Sequence, residues 1–178
     1  MPLDAVCLRA VVTELDEKVR GGRVDKVYQP DRDEIVLSIR GTRGALRLMI
    51  TAEPSAPRMH LIDANRENPA APPMFCMLMR KYVQGAKIVS IHQPALERVA
   101  VIDLDTTDEM GVPVRRQLVC ELMGKYSNII LKGDDGRIID AIRRVDGDIS
   151  GKRQVLPGLF SRMPPAQEGK DDPLTLTG

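Results

Sequence analysis

Residues 117–131, Gln-Leu-Val-Cys-Glu-Leu-Met-Gly-Lys-Tyr-Ser-Asn-Ile-Ile-Leu, form the stretch that decides how the chain folds. Two apolar runs, at 118–123 and 129–131, flank a short polar break that starts at Gly124. Gly and Asn tolerate positive φ angles, and a break of this length between β-forming runs is typical of a hairpin. The pattern predicts two core strands, while Lys125 and Tyr126 at the bend are expected to face solvent or a partner.

The chain before this hairpin is expected to build a sheet that the hairpin joins. Residues 4–20 carry apolar side chains at spacings of three and four, which predicts an amphipathic helix. Asp4 is placed to cap its N-terminus, and Gly21-Gly22 is placed to end it. Alternating patterns then predict strands at 23–28, 34–40, 45–50 and 59–62.

A second helix is predicted at 73–84, after Pro72-Pro73, and its apolar residues nearly all round suggest that it is clamped against the sheet. Further strands are predicted at 87–92, 98–104, 115–122, 128–131 and 138–142. Two groups of strands, each after a helix, predict an α+β fold in which two packed antiparallel sheets form a two-layer sandwich with flanking helices. Residues 1–160 are assigned to this domain, and 161–178 have the composition of a linker to further regions.

Composition narrows the function classes. The 178 residues carry a net charge of +1, and no apolar run approaches the roughly 18 residues of a membrane span. A cytoplasmic protein that makes no membrane contact is therefore expected. Cys7, Cys76 and Cys120 lie in separate apolar stretches, as buried thiols of a reducing compartment do. No zinc-like spacing and no glycine-rich phosphate loop appears, so neither a metal nor a cofactor is expected. Five aromatic residues are too few for a base-stacking platform.

Two features of the sequence are candidates for a catalytic or binding function. If Met1 is removed, Pro2 becomes a terminal secondary amine that is able to form a Schiff base, although Pro at this position usually has no function. Glu97-Arg98 stands where a strand begins, and a carboxylate there can orient the guanidinium toward an anionic or planar partner. The alternative for the second feature is an ordinary surface pair that contributes almost nothing to stability.

Several motifs, in order along nearly the whole chain, resemble the NFACT N-terminal domain of the RqcH/NEMF family, whose bacterial members are also called fibronectin-binding protein A. They are Met1-Pro-Leu-Asp4, Gly21-Gly-Arg-Val-Asp-Lys-Val-Tyr-Gln-Pro30, Pro72-Pro-Met-Phe-Cys-Met-Leu-Met-Arg-Lys81, Glu97-Arg98, Glu121-Leu-Met-Gly-Lys-Tyr-Ser-Asn128 and Leu156-Pro-Gly158.

The resemblance implies a fold like the N-terminal domain of the formamidopyrimidine (MutM-like) DNA glycosylases. It also implies ribosome-associated quality control, in which tRNA is recruited to large ribosomal subunits with obstructed peptidyl-tRNA for tailing without mRNA. The family's Asp-Arg signature for tRNA corresponds to Glu97-Arg98, whose carboxylate is one methylene longer, and Asp4 matches a second acidic position. Supporting RNA contacts are expected from Arg80, Lys81 and Lys125.

Two rival functions stay open. A DNA glycosylase or lyase would use Pro2, but Leu3 follows where those enzymes have Glu, and Asp4 comes one position late, so binding to DNA is not expected. A fibronectin-binding surface adhesin is the other rival, and it conflicts with the absence of an export signal at the start of the sequence. The chain is therefore predicted to be a binding module and not an enzyme.

Overall fold

The computed structural model describes residues 4–41, 44–63, 71–95, 97–144 and 156–158. Within these ranges the chain forms two α-helices, nine β-strands and one 3-10 turn at Gly124–Tyr126. Their order is α1 (Ala5–Val19), β1 (Arg23–Asp31), β2 (Glu34–Gly41), β3 (Gly44–Thr51), β4 (Arg58–Ile62), α2 (Met74–Val83), β5 (Lys87–His92), β6 (Val99–Thr107), β7 (Pro113–Glu121), β8 (Asn128–Lys132) and β9 (Ile138–Ala141). Neither helix is long and apolar enough to cross a lipid bilayer.

The strands form one antiparallel sheet in the order β4-β3-β2-β1-β5-β6-β7-β8-β9. The predicted α+β class and antiparallel pairing are confirmed, but the prediction of two separate sheets is wrong. The two groups of strands join between β1 and β5, where the amide of Ile88 donates to Gly22 O at 2.8 Å and the amide of Val24 donates to Ala86 O at 2.9 Å. Sequence periodicity indicates where each strand lies but not which strands pair, so it does not predict this junction.

One hydrophobic cluster takes side chains from both halves of the sheet and from both helices. The predicted apolar face of α1 is confirmed, and its buried residues are Leu8, Val12, Leu15 and Val19. The predicted hairpin is also confirmed: β7 and β8 pair with each other, Gly124 has a φ of +57°, and Lys125 and Tyr126 are exposed. A positive φ is what glycine supplies at little cost at such a bend.

Two expectations about burial are wrong. Helix α2 buries one face, with Phe75, Cys76, Met79 and Val83, but the side chains of Met74 and Met77 are exposed. Cys7 is exposed as well, although Cys76 and Cys120 are buried as predicted. Cys7 follows the N-cap of α1 on the side of the helix that points away from the sheet. The predicted amine of Pro2 and the predicted linker at 161–178 lie outside the described residues.

Hydrogen bonds show which loops lie near each other. The β5–β6 connection and the β7–β8 turn lie together at one end of the sheet, which we call the Arg98 end, since the amide of Leu122 donates to Arg98 O at 2.8 Å. Arg143 holds the β1–β2 turn against the β7–β8 turn, because it donates both to Ser127 O and to Asp33 Oδ1. The β6–β7 turn and the paired residues Arg23 and Lys87 lie at the opposite end.

Candidate nucleic-acid interface

Asp4 and Arg98 come together although they are distant in sequence. Asp4 caps α1, since its Oδ1 accepts a hydrogen bond from the amide of Cys7 at 2.7 Å. That hydrogen bond is the main reason why the pKa of Asp4 lies below its ordinary value, and the positive charge of Arg98 lowers the pKa further. The acid is exposed, so it stays ionised beside a cation and remains accessible to a ligand.

Gln93 fixes this arrangement by joining α1 to the β5–β6 connection. Its Nε2 donates to the backbone oxygen of Ala5 at 3.0 Å and to the backbone oxygen of Glu97. Its Oε1 accepts a hydrogen bond from Arg9 Nε at 2.8 Å. The half-buried side-chain amide of Gln93 therefore holds the first turn of α1 next to the segment that precedes Arg98. No sequence pattern singles out Gln93, because its role depends on partners that lie far apart in the chain.

Glu97 and Arg98 are both partly exposed. The backbone of Arg98 is fixed, because its carbonyl oxygen accepts a hydrogen bond from the amide of Leu122 at 2.8 Å. In the described part of the chain, no ion pair joins the Glu97 carboxylate to the Arg98 guanidinium. The charge of Arg98 is the smallest of the causes that lower the pKa of Asp4. The expectation that Glu97 orients Arg98 therefore stays a prediction.

The turn that carries Lys125 lies at the same end of the sheet, directly after Leu122. Ser127 braces this turn from within, since its hydroxyl accepts a hydrogen bond from the amide of Met123 at 2.9 Å. The ammonium of Lys125 is 5.2 Å from the ring centroid of Tyr126, and both side chains are exposed. The turn therefore presents a cation and an aromatic ring on the side of Arg98.

Arg143 clamps the same turn to the first half of the sheet. Its Nη1 donates to the backbone oxygens of Ser127 at 3.2 Å and Lys125 at 3.4 Å. Its Nη2 donates to Asp33 Oδ1 at 3.0 Å and to Ala52 O at 3.4 Å. All of these acceptors belong to the protein, so Arg143 positions the Arg98 end and is not a free cation for a ligand.

Arg80 and Lys81, the other expected RNA contacts, are not brought together with Arg98. Arg80 Nε donates to the backbone oxygen of Val27 at 2.9 Å, and its guanidinium lies 5.9 Å from the ring of Tyr28. Lys81 lies 3.6 Å from the carboxylate of Glu109 in the β6–β7 turn, at the opposite end of the sheet. Of the three supporting residues, only Lys125 shares the Arg98 end.

Other polar groups are arranged as structural pairs. His92 Nε2 lies 2.9 Å from Asp103 Oδ2, and the same carboxylate accepts from Ser90 and Gln117. A cavity of about 510 Å³ at the N-terminal end of α2 contains Arg144, whose Nε donates to the buried Asp140 at 2.9 Å. Among the described residues, no three His, Cys, Asp or Glu side chains converge as a metal site.

Comparison with known families and proteins gives a consistent result. The family model described as NFACT N-terminal and middle domains matches residues 4–178. The chain is 37% identical over 169 residues to the Rqc2 homolog RqcH of Bacillus subtilis, covering 94% of this chain and 30% of that protein. It is 33% identical over 166 residues to the archaeal Rqc2 homolog aRqcH of Methanocaldococcus jannaschii, covering 92% of this chain and 23% of that protein. The chain thus spans less than a third of the length of these curated relatives.

Solved structures show the same fold. The N-terminal domain of fibronectin-binding protein PavA from Streptococcus pneumoniae superposes with a TM-score of 0.88 at 37% identity, covering 92% of this chain and 62% of that one. The fibrinogen-binding protein from Staphylococcus aureus superposes with a TM-score of 0.82 at 32% identity, covering 94% of this chain and 58% of that one.

Proposed function

The chain belongs to the family of NFACT N-terminal domains, and on that premise we propose that it is the tRNA-binding part of a ribosome-associated quality-control factor. The observation that carries this proposal is the convergence of Asp4, the Gln93-held connection and Arg98 at one exposed end of the sheet. Two of these residues, Asp4 and Arg98, stand at the positions that the family resemblance connects with tRNA.

The chemistry of the two side chains suits an RNA loop. Arg98 presents a planar fork that hydrogen-bonds phosphate and stacks on an exposed base. Asp4 is an ionised acceptor, which pairs with the amino group of a base and repels phosphate. Together they favour an unpaired nucleotide whose base faces Asp4 and whose backbone lies along Arg98. Lys125 adds positive charge on the same side.

The wider assignment rests on the family. We propose that the whole protein binds large ribosomal subunits that carry obstructed peptidyl-tRNA and recruits tRNA there for tailing without mRNA. In this role the domain is a binding module of a cytoplasmic protein, without catalysis of its own, and residues 161–178 connect it to further regions. The names of the curated relatives support the assignment, since they are homologs of Rqc2.

The test is the affinity of the 178-residue chain for tRNA at fixed salt, because phosphate binding depends steeply on salt. Arg98→Ala should weaken binding by about 1–3 kcal/mol, as loss of a direct base or bidentate contact does. Glu97→Asp should be tolerated, and Glu97→Ala should weaken binding less than Arg98→Ala. Arg20→Ala is the matched control, because it removes an exposed guanidinium from the other end of α1.

Thermal melts of each variant separate binding from folding. Arg98→Ala should melt close to wild type, since its side chain is partly exposed and makes no ion pair within 4 Å among the described residues. If Arg98→Ala binds tRNA as tightly as wild type, the proposal fails. If it loses many degrees of melting temperature, Arg98 is a structural residue.

The names of the solved relatives favour a second candidate, binding to fibronectin or fibrinogen at a cell surface. The same variants distinguish the two candidates. Saturable binding of fibronectin that is unaffected by Arg98→Ala, with no tRNA binding, would favour the adhesin.

A glycosylase-like activity through Pro2 is the remaining rival, and it depends on the resemblance to the N-terminal domain of formamidopyrimidine DNA glycosylases. Borohydride trapping with abasic-site DNA tests this activity. We expect no adduct, because Leu3 stands where those enzymes have Glu, whereas an adduct that Pro2→Gly abolishes would establish the lyase.

A further inference from the structure

Five cationic side chains share one face of the sheet, and we call them the basic face: Arg23, Lys26, Arg40, Arg47 and Lys87. Cross-strand partners point to the same side of a sheet, and the pairs Arg40–Arg23 and Arg23–Lys87 place three of them in one row across β2, β1 and β5. Lys26 and Arg47 flank Ser38 in the neighbouring row. The other side of these strands is the hydrophobic core, with Val24, Ile39 and Ile88.

The charge of this face is largely uncompensated. Arg23, Lys26, Arg40 and Lys87 are exposed. Among the described residues, Asp25 forms an ion pair with this face, and its carboxylate is 3.8 Å from Arg40. Asp105 is the cross-strand partner of Lys87, but Arg115 holds it at 2.9 Å. Five cations thus stand close together on a chain whose net charge is only +1.

The row of like charges formed by Arg40, Arg23 and Lys87 lowers the stability of the sheet. Like charges directly opposite each other on neighbouring strands destabilise a sheet. Adjacent strands are about 4.8 Å apart, so the backbone positions of the row follow one another at about that distance. A polyanion that runs across the strands would relieve this repulsion and release its own counterions on binding.

We infer that the basic face binds the phosphate backbone of double-stranded RNA. Duplex RNA fits this face better than an unpaired strand does. A sheet surface with few aromatic side chains suits contacts with the phosphate backbone of a duplex and not stacking on exposed bases. This site is distinct from the Arg98 site, since Arg23 and Lys87 lie at the opposite end of the sheet. It therefore does not depend on the proposed tRNA contact, and the domain would hold two RNA elements at once.

The experiment measures binding of the 178-residue chain to a 20-base-pair RNA duplex without loops, by fluorescence anisotropy across a range of salt. The variant Arg23→Gln/Arg40→Gln/Lys87→Gln removes the row. Each lost phosphate contact should reduce the slope of log affinity against log salt by roughly 0.9, so the triple variant should lose roughly 2–3 units of slope. Its affinity at low salt should fall at least about tenfold.

Two controls make the result specific. Lys18→Gln/Arg32→Gln/Arg137→Gln removes the same net charge from exposed positions outside this face and should leave the slope near wild type. Arg98→Ala should also leave duplex binding unchanged, which separates failure of this inference from failure of the tRNA proposal. Polyglutamate serves as a competitor, since an acidic protein is the other partner that a basic face attracts.

Stability gives an independent readout. Removing the opposed charges should raise the melting temperature of the triple variant by roughly 1–3 °C. The inference is overturned if the triple variant keeps the wild-type slope. Displacement of the duplex by polyglutamate at an equal concentration of charge would also overturn it in favour of an acidic partner.

Discussion

At the residue scale, Asp4 does two things with one carboxylate. Its oxygen satisfies an amide of the first turn of α1, and its charge lies beside Arg98. The pKa of Asp4 is lower in the folded chain than its ordinary value of 3.8. The stability that the ionised cap contributes is therefore present above that pH and is lost as the pH falls through the lower folded-state pKa.

The reactivity of the Cys7 thiol depends on the same carboxylate, that of Asp4. Its thiol donates to Asp4, and this interaction raises the pKa of the thiol. Because the thiolate is the reactive form, Asp4→Asn should accelerate the reaction of Cys7 with a disulfide reagent near pH 8, while Asn keeps the helix cap. Glu17→Gln, which changes another exposed acid of α1, should leave the rate unchanged. Equal rates in wild type and Asp4→Asn would contradict the interaction. The buried Cys76 and Cys120 should stay unreactive.

At the scale of elements, the site exists because one side chain couples a helix to a strand connection. Gln93→Ala removes two donated hydrogen bonds and one accepted bond. We expect a loss of about 1–2 kcal/mol in the free energy of unfolding. A further loss in tRNA affinity is expected, because the segment before Arg98 would lose its link to α1. Gln84→Ala, at an exposed position after α2, is the control for a simple amide deletion.

A double-mutant cycle shows whether Gln93 acts by positioning Arg98. If it does, Arg98→Ala should weaken tRNA binding less in the Gln93→Ala background than in wild type. Additive losses would mean that Gln93 supports the fold in general and not the orientation of Arg98.

At the scale of the whole molecule, Arg143 connects the two halves of the sheet at the Arg98 end. Arg143→Ala leaves Asp33 and three backbone oxygens without their donor. We expect a loss of roughly 2–3 kcal/mol in the free energy of unfolding, and a melting temperature lower by roughly 4–12 °C for a chain of this size.

Arg143→Lys should recover only part of the lost stability, because an ammonium cannot reach all four acceptors. Arg115→Ala, which breaks an exposed pair on β7, should change stability little. A melt of Arg143→Ala that matches wild type would show that the two halves do not depend on this clamp.

The sequence by itself determined the elements. Periodicity and turn chemistry place both helices, all nine strands and the bend at Gly124 within a few residues of where the structure has them. These features are local, since a helix face, a cap and a glycine turn depend on residues within a few positions of each other. The motifs around Asp4 and Arg98 pointed to the end of the molecule that we propose as the tRNA site for the same reason, because they are short contiguous strings.

Only the tertiary structure decided how these elements meet. The junction of β1 with β5 makes one sheet out of two groups of strands, and it depends on backbone hydrogen bonds that no side-chain pattern encodes. The approach of Asp4 to Arg98, the bridging role of Gln93 and the clamp of Arg143 all join residues far apart in the chain. The row of Arg40, Arg23 and Lys87 likewise appears only once strand order and register are set, because each cation alone is an ordinary exposed residue of its strand.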